Sequence, residues 1–191
     1  MDVRLRSINL PETLVMMRSL LALFTCTLLS LNILAQEGKP QFPAPTKEQL
    51  MYRKKGAPIP PFVLEKTMGG TFTNTNLKPG EPVMLMIFHP LCDHCNYVID
   101  SLKKYESSFK NTQLLLVAED RNKDYMKDFI EKTGIRDNVL FKNIGTEKGN
   151  LIWYLYTYEI LPQVNFYDKN YKLVQSFTGK APFDSLKMFI Q

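Results

Sequence analysis

The stretch Phe88-His89-Pro90-Leu91-Cys92-Asp93-His94-Cys95 limits what this chain can become. The apolar run Val83-Met84-Leu85-Met86-Ile87-Phe88 leads into it and reads as a buried strand. After it, Val98, Leu102, Tyr105 and Phe109 recur at helical spacing, which predicts a helix running to about Phe109. Two cysteines one helical turn apart therefore stand where a buried strand gives way to a helix. Cys92 falls at the helix N-terminus, where unpaired N–H groups and the helix dipole favour negative charge. The attacking species in thiol–disulfide exchange is a thiolate, and a second thiol one turn on can close a small disulfide ring.

Two plainer uses of the pair fit the sequence less well. A Cys-x-x-Cys is often half of a zinc site, but this chain has no second pair and no His-x3–5-His arrangement. Two inert core thiols fit poorly with strand-end placement and with polar Asp93 and His94 between them.

The N-terminal part resembles an export signal. Arg4, Arg6 and Arg18 precede an apolar run from Ser19 to Ala35, and polar Gln36-Glu37-Gly38-Lys39-Pro40 follows. A basic start, an apolar middle and a small residue before a polar break predict a signal peptide over residues 1–35, cut after Ala35. The alternative is an uncleaved anchor, with the domain facing the periplasm; the run is slightly short of the roughly 20 residues a span requires. Cys26 is not a convincing lipidation site, because bulky Phe24 and Thr25 precede it and apolar residues continue after it. With Cys26 removed, Cys92 and Cys95 are the remaining cysteines, which is a used pair rather than a disulfide scaffold.

Residues 36–56 read as a polar, proline-containing linker with a short helix near Lys47–Tyr52. A hairpin is expected over Phe62–Glu65 and Thr71–Thr73, turning at Met68-Gly69-Gly70. Gln113–Ala118 predicts a second buried strand, Asp124–Thr133 an amphipathic helix, Val139–Phe141 a strand and Asn150–Tyr158 a short helix. Val164–Tyr167 and Tyr171–Phe177 predict a closing hairpin, and Pro182–Ile190 a last helix. The net charge of +5 comes from scattered Lys and Arg with no basic stripe, which argues against nucleic-acid binding.

This order of elements, with the strand–Cys-x-x-Cys–helix unit, resembles thioredoxin-fold proteins, and from Ala57 to the C-terminus it looks like the secreted thiol–disulfide oxidoreductases of the TlpA/ResA type. The resemblance implies an α/β, thioredoxin-like three-layer fold over residues 57–191, with an N-terminal β-hairpin extension and a β/α insertion between about Thr112 and Tyr158. It implies that Cys92 is the nucleophile, that Cys95 resolves the mixed disulfide, and that no cofactor is required. It implies a cis-proline at Pro162, after Leu161, shaping a groove for an extended substrate segment. The partners it implies are protein thiols or disulfides and a membrane-bound electron donor or acceptor, with the chain a monomer outside the cytoplasm.

The chain also departs from that pattern. Leu91 stands where a Trp is common, and Met86 and Val98 stand where related chains carry an acid; Asp100 and Glu119 are the candidate substitutes. His94, before the second cysteine, resembles oxidising members and disulfide isomerases; its positive form would stabilise a neighbouring thiolate, with Asp93 opposing it. His89 reads as structural polar packing. A copper-binding module using Cys92, Cys95 and His89 or His94 is the alternative function, although such modules usually have wider cysteine spacing. A thioredoxin-like peroxidase is less consistent still, with His89 and Leu85 where Thr or Ser and Pro are expected.

Overall fold

The structure is a computed structural model and describes residues 46–149, 151–156, 160–179 and 181. In chain order these form α1 (Lys47–Met51), β1 (Val63–Lys66), β2 (Thr71–Thr73), β3 (Val83–Ile87), α2 (Asp93–Lys104), β4 (Gln113–Glu119), α3 (Lys123–Thr133), β5 (Ile144–Glu147), α4 (Leu151–Tyr156), β6 (Gln163–Tyr167) and β7 (Leu173–Thr178). Among the described residues the strands make one mixed sheet in the order β2-β1-β5-β4-β3-β6-β7. β3, β4 and β5 run parallel, as crossover helices allow, and the remaining neighbours pair antiparallel.

Every residue of β3 is buried, because β4 and β6 flank it and both faces are covered. Alternation sends its side chains to two cores. Met84 and Met86 join Leu114, Leu116 and Phe166 beneath Val98, Ile99 and Leu102 of α2 and Met126, Phe129 and Ile130 of α3. Val83, Leu85 and Ile87 join Leu115, Val117 and Tyr167 against Ile59, Phe62, and Ile152 and Leu155 of α4. The result is three layers, with each fully buried Leu, Ile or Met contributing about 1.5–3 kcal/mol.

The chain before the hairpin is stitched to the far edge and to α4. Thr46 and Gln49 cap α1 reciprocally. Arg53 Nε donates to the Leu155 carbonyl. The Gly56 N–H donates to the Leu173 carbonyl, and the Leu173 N–H to the Ala57 carbonyl, each at 2.7 Å.

Two expectations change, and one strand is added. The α-helix after the cysteines ends at Lys104, and a 3-10 turn over Glu106–Phe109 carries Phe109 into the core. Val139–Phe141 is a 3-10 turn, not a strand: the Asn138 side chain accepts the Leu140 N–H and starts it. The strand comes three residues later as β5, in Ile144-Gly145-Thr146-Glu147, a segment whose glycine and lack of apolar alternation conceal it. Pairing between β4 and β1 makes it a strand. Gly145 is required there, since a Cβ at this position would stand 2.0 Å from the Glu65 carbonyl oxygen. The expected signal segment, the start of the linker and the last helix lie outside the described residues, as do residues 150, 157 and 158 of the expected fourth helix.

Candidate active site

β3 ends at Ile87, and the Phe88 N–H donates to the Val117 carbonyl of β4, which holds the start of the loop against the sheet. The loop then turns on His89, whose carbonyl accepts the Cys92 N–H at 3.0 Å. Cys92 is the N-cap of α2, with extended backbone (φ −93°, ψ 116°). Its Sγ takes the place of a capping oxygen and receives the Cys95 backbone N–H at 3.4 Å. Asp93 in the first turn and Lys103 and Lys104 in the last suit the helix dipole.

The two sulfurs have different surroundings. Both thiols are free. Cys92 is half-buried, beside Leu91, which is 66 % exposed. Cys95 is fully buried in the apolar cluster with Met86, Phe88 and Val98. Burial first, and then its hydrogen bond with the Cys92 side chain, push the Cys95 thiol well up, with the His89 backbone pulling the other way. One sulfur is open to a partner molecule and the other is sheltered and held protonated.

Leu161, the residue before Pro162, lies against Cys92. The Leu161–Pro162 peptide bond is cis, as the resemblance implies. The Leu161 carbonyl is 3.9 Å from Cys92 Sγ, within reach of a weak S–H donor, and the Pro162 carbonyl accepts the Gly179 N–H at 2.8 Å. Strand β6 thus brings residues 69 positions away in sequence to the first cysteine. Asp93 and His94 are exposed on the first turn of α2.

Met86 and Val98 are core residues of the Cys95 cluster, so apolar side chains occupy both positions where related chains carry an acid. Of the candidate substitutes, Asp100 is exposed and pairs with Lys103 at 2.8 Å. Glu119 is buried at the end of β4 and pairs with Arg121 at 2.7 Å. Among the described residues, no group of three or more His, Cys, Asp or Glu side chains could hold a metal ion.

Glu147 is a buried acid that sequence reasoning missed, together with the strand that carries it. It ends β5 in register with Glu119, and its carboxylate accepts the Ile152 N–H at the start of α4 at 3.1 Å. A glutamate a few residues before the apolar run Leu151-Ile152 was the available signal. Burial pushes its carboxyl up to about 7, against the Ile152 and Leu151 amides, with the Asp120 charge adding to the rise. An acid raised in the folded state binds its proton more tightly folded than unfolded. Its contribution therefore favours the fold below the unfolded value of about 4.3, and that contribution is lost as pH rises toward about 7. Between pH 4.5 and pH 8, wild type should lose on the order of 2 kcal/mol more stability than Glu147→Gln. Denaturant midpoints at the two pH values check this, and parallel losses in the two proteins would contradict it.

A sheet of this order, with a Cys-x-x-Cys at the strand–helix junction, defines the chain as a thioredoxin-fold protein. It matches no family model and no curated protein. Solved structures share the fold. One is the thioredoxin domain of a thiol-disulfide oxidoreductase from Bacteroides vulgatus, with TM-score 0.60 and 19% identity over 72% of this chain and 99% of that one. Another is a thiol:disulfide interchange protein from Bacteroides sp., with TM-score 0.58 and 18% identity over 72% and 90%. A third is a secreted Mycobacterium tuberculosis disulfide oxidoreductase homologous to E. coli DsbE, with TM-score 0.55 and 19% identity over 76% and 98%.

Proposed function

We propose that this chain is an extracytoplasmic thiol–disulfide oxidoreductase of the TlpA/ResA type, exchanging disulfides with protein substrates through Cys92-Asp93-His94-Cys95. The observation that carries the reading is the asymmetry of the pair: a half-buried Cys92 capping α2 next to a fully buried Cys95. Cys92, as thiolate, attacks one sulfur of a substrate disulfide, forming a mixed disulfide and releasing the other substrate sulfur. Cys95 then attacks Cys92, closing the Cys92–Cys95 disulfide and releasing the second substrate thiol. Two electrons pass from the cysteine pair to the substrate, and the same steps in reverse oxidise a substrate dithiol. The two sulfurs carry both electrons, so no cofactor is needed. A membrane-bound donor or acceptor of electrons resets the pair, and the chain works as a monomer.

Residues 1–35 act as a signal peptide cleaved after Ala35, residues 36–56 as a linker, and residues 57–191 as the catalytic domain. The signal-like run ending at Ala35 supports export. No helix among the described residues is long and apolar enough to cross a membrane.

Catalytic amounts of the protein should accelerate dithiothreitol-driven reduction of insulin disulfides; a rate equal to the uncatalysed one would sink the reading. Leu161 and Pro162 line the substrate groove beside Cys92, and Asp93 and His94 tune the pair. A positively charged His94 at the N-terminus of α2 favours the Cys92 thiolate, and so the reduced form. His94→Pro should lower the reduction potential by about 30 mV or more, equivalent to about 1.4 kcal/mol for a two-electron couple. An unchanged potential in that variant would make His94 an untuned surface residue.

A further inference from the structure

We propose that His89 is a positioning residue for the cysteine pair, its imidazole fixing the turn that delivers Cys92 and Cys95 to one another. This inference rests on the thiol–disulfide reading above and adds a residue to it.

The argument begins with the amides of the turn. Pro90 has no N–H, so the first two donors after His89 are those of Leu91 and Cys92. His89 accepts both. Its carbonyl takes the Cys92 N–H at 3.0 Å. Its ring Nδ1 takes the Leu91 N–H at 3.1 Å. The Cys95 N–H in turn reaches Cys92 Sγ at 3.4 Å. His89 therefore holds both amides of the turn that leads into Cys92, and Phe88 ties this unit to β4.

The ring bond has a specific geometry. Nδ1 is two bonds from Cβ, as is the side-chain oxygen of asparagine, and the contact closes the same small ring as an Asx-turn. To accept, Nδ1 must be unprotonated, which assigns the Nε2–H tautomer to the neutral ring. Without that bond the Leu91 amide must find water. The turn is then free to rotate, and Cys92 is no longer held in one position against Cys95.

The consequence falls on the resolving step. There Cys95 attacks Cys92 Sγ, the Cys92–substrate S–S bond breaks, the Cys92–Cys95 bond forms, and the Cys95 proton ends on the departing substrate thiol. Charge develops on Cys95 inside an apolar cluster, with Met86 and Val98 where an acid would otherwise stand. The attack requires Cys92 Sγ to be held against Cys95, and the imidazole acts by fixing the turn that places it.

The test compares wild type, His89→Ala and His89→Asn in the full chain. The readouts are the decay rate of the mixed disulfide with a small peptide disulfide, and amide exchange at Leu91. His89→Ala should slow the decay and speed Leu91 exchange by about tenfold each, the effect of one hydrogen bond. His89→Asn should restore both to within about threefold, because it returns the acceptor. Equal behaviour of the two variants, or Leu91 exchange unchanged in His89→Ala, would overturn the proposal. Should His89→Ala not fold, nitrogen-15 spectra of the wild-type ring at alkaline pH decide: the Nε2–H tautomer is expected, and Nδ1–H overturns it. A wild type that forms no mixed disulfide defeats the functional reading instead, and Leu91 exchange and the ring tautomer still test His89 on their own.

Discussion

Cys95→Ser should accumulate covalent mixed disulfides with substrate, whereas Cys92→Ser should accumulate none and lose exchange activity by about a thousandfold or more. The difference follows from the surroundings of the two sulfurs. Cys92 caps α2, receives the Cys95 N–H on its sulfur and is only half-buried. Cys95 lies fully buried one turn in, and burial holds its thiol up. A substrate disulfide can therefore reach Cys92 and not Cys95. With Cys95 replaced, the first exchange still occurs but nothing displaces the substrate. With Cys92 replaced, the remaining thiol is both sheltered and protonated. Mass spectrometry of trapped adducts distinguishes the variants, and equal trapping by both would reverse or abolish the assignment.

The second large effect is on stability. Gly145→Ala should destabilise the protein by about 3 kcal/mol. A Cβ on Gly145 would meet the Glu65 carbonyl oxygen at 2.0 Å, the Glu65 carbonyl carbon at 2.7 Å and the Lys66 Cα at 2.8 Å. All three are backbone atoms, so no side chain can swing aside. Strand β1 would have to lift from β5, and among the described residues β2 pairs with the sheet through β1. The cysteines are joined to the opposite side of β5 through β4 and β3, so the variant that remains folded should keep its exchange rate. A lower denaturant midpoint at unchanged slope is the expected result. An unshifted midpoint would mean that β1 is not held in this register.

The resulting picture explains which parts of the fold were legible in the sequence. β3 and β4 are covered on both faces, so continuous apolar runs such as Leu114–Ala118 announce them. The hairpin β1–β2 announces itself through Gly69 and Gly70, both at positive φ. Helix α3 shows its periodicity and ends on Gly134 in the left-handed region. β5 is different. Its glycine is dictated by the close approach of β1 and its Glu147 by the start of α4, and neither requirement appears within the segment itself. Val139, apolar but exposed, suggested a strand in the wrong place. At the site, spacing alone gave the two cysteines and the helix terminus. The contact between Cys92 and Leu161 and the cis state of Pro162 needed the family resemblance, because β6 closes that side from far along the chain. The ring of His89 was legible only as a polar residue in a loop, since its partner is a backbone amide.

The reduction potential of the Cys92–Cys95 couple tests the central claim most directly. The protein is equilibrated in graded glutathione and dithiothreitol buffers, and the two thiols are counted by peptide mass after alkylation. The two thiols should disappear together in one two-electron transition between about −230 and −170 mV, above thioredoxin at about −270 mV and below strong oxidants at about −120 mV. A value below that of thioredoxin would make the protein a dedicated reductase. Thiols that remain free at every poise would contradict the account altogether.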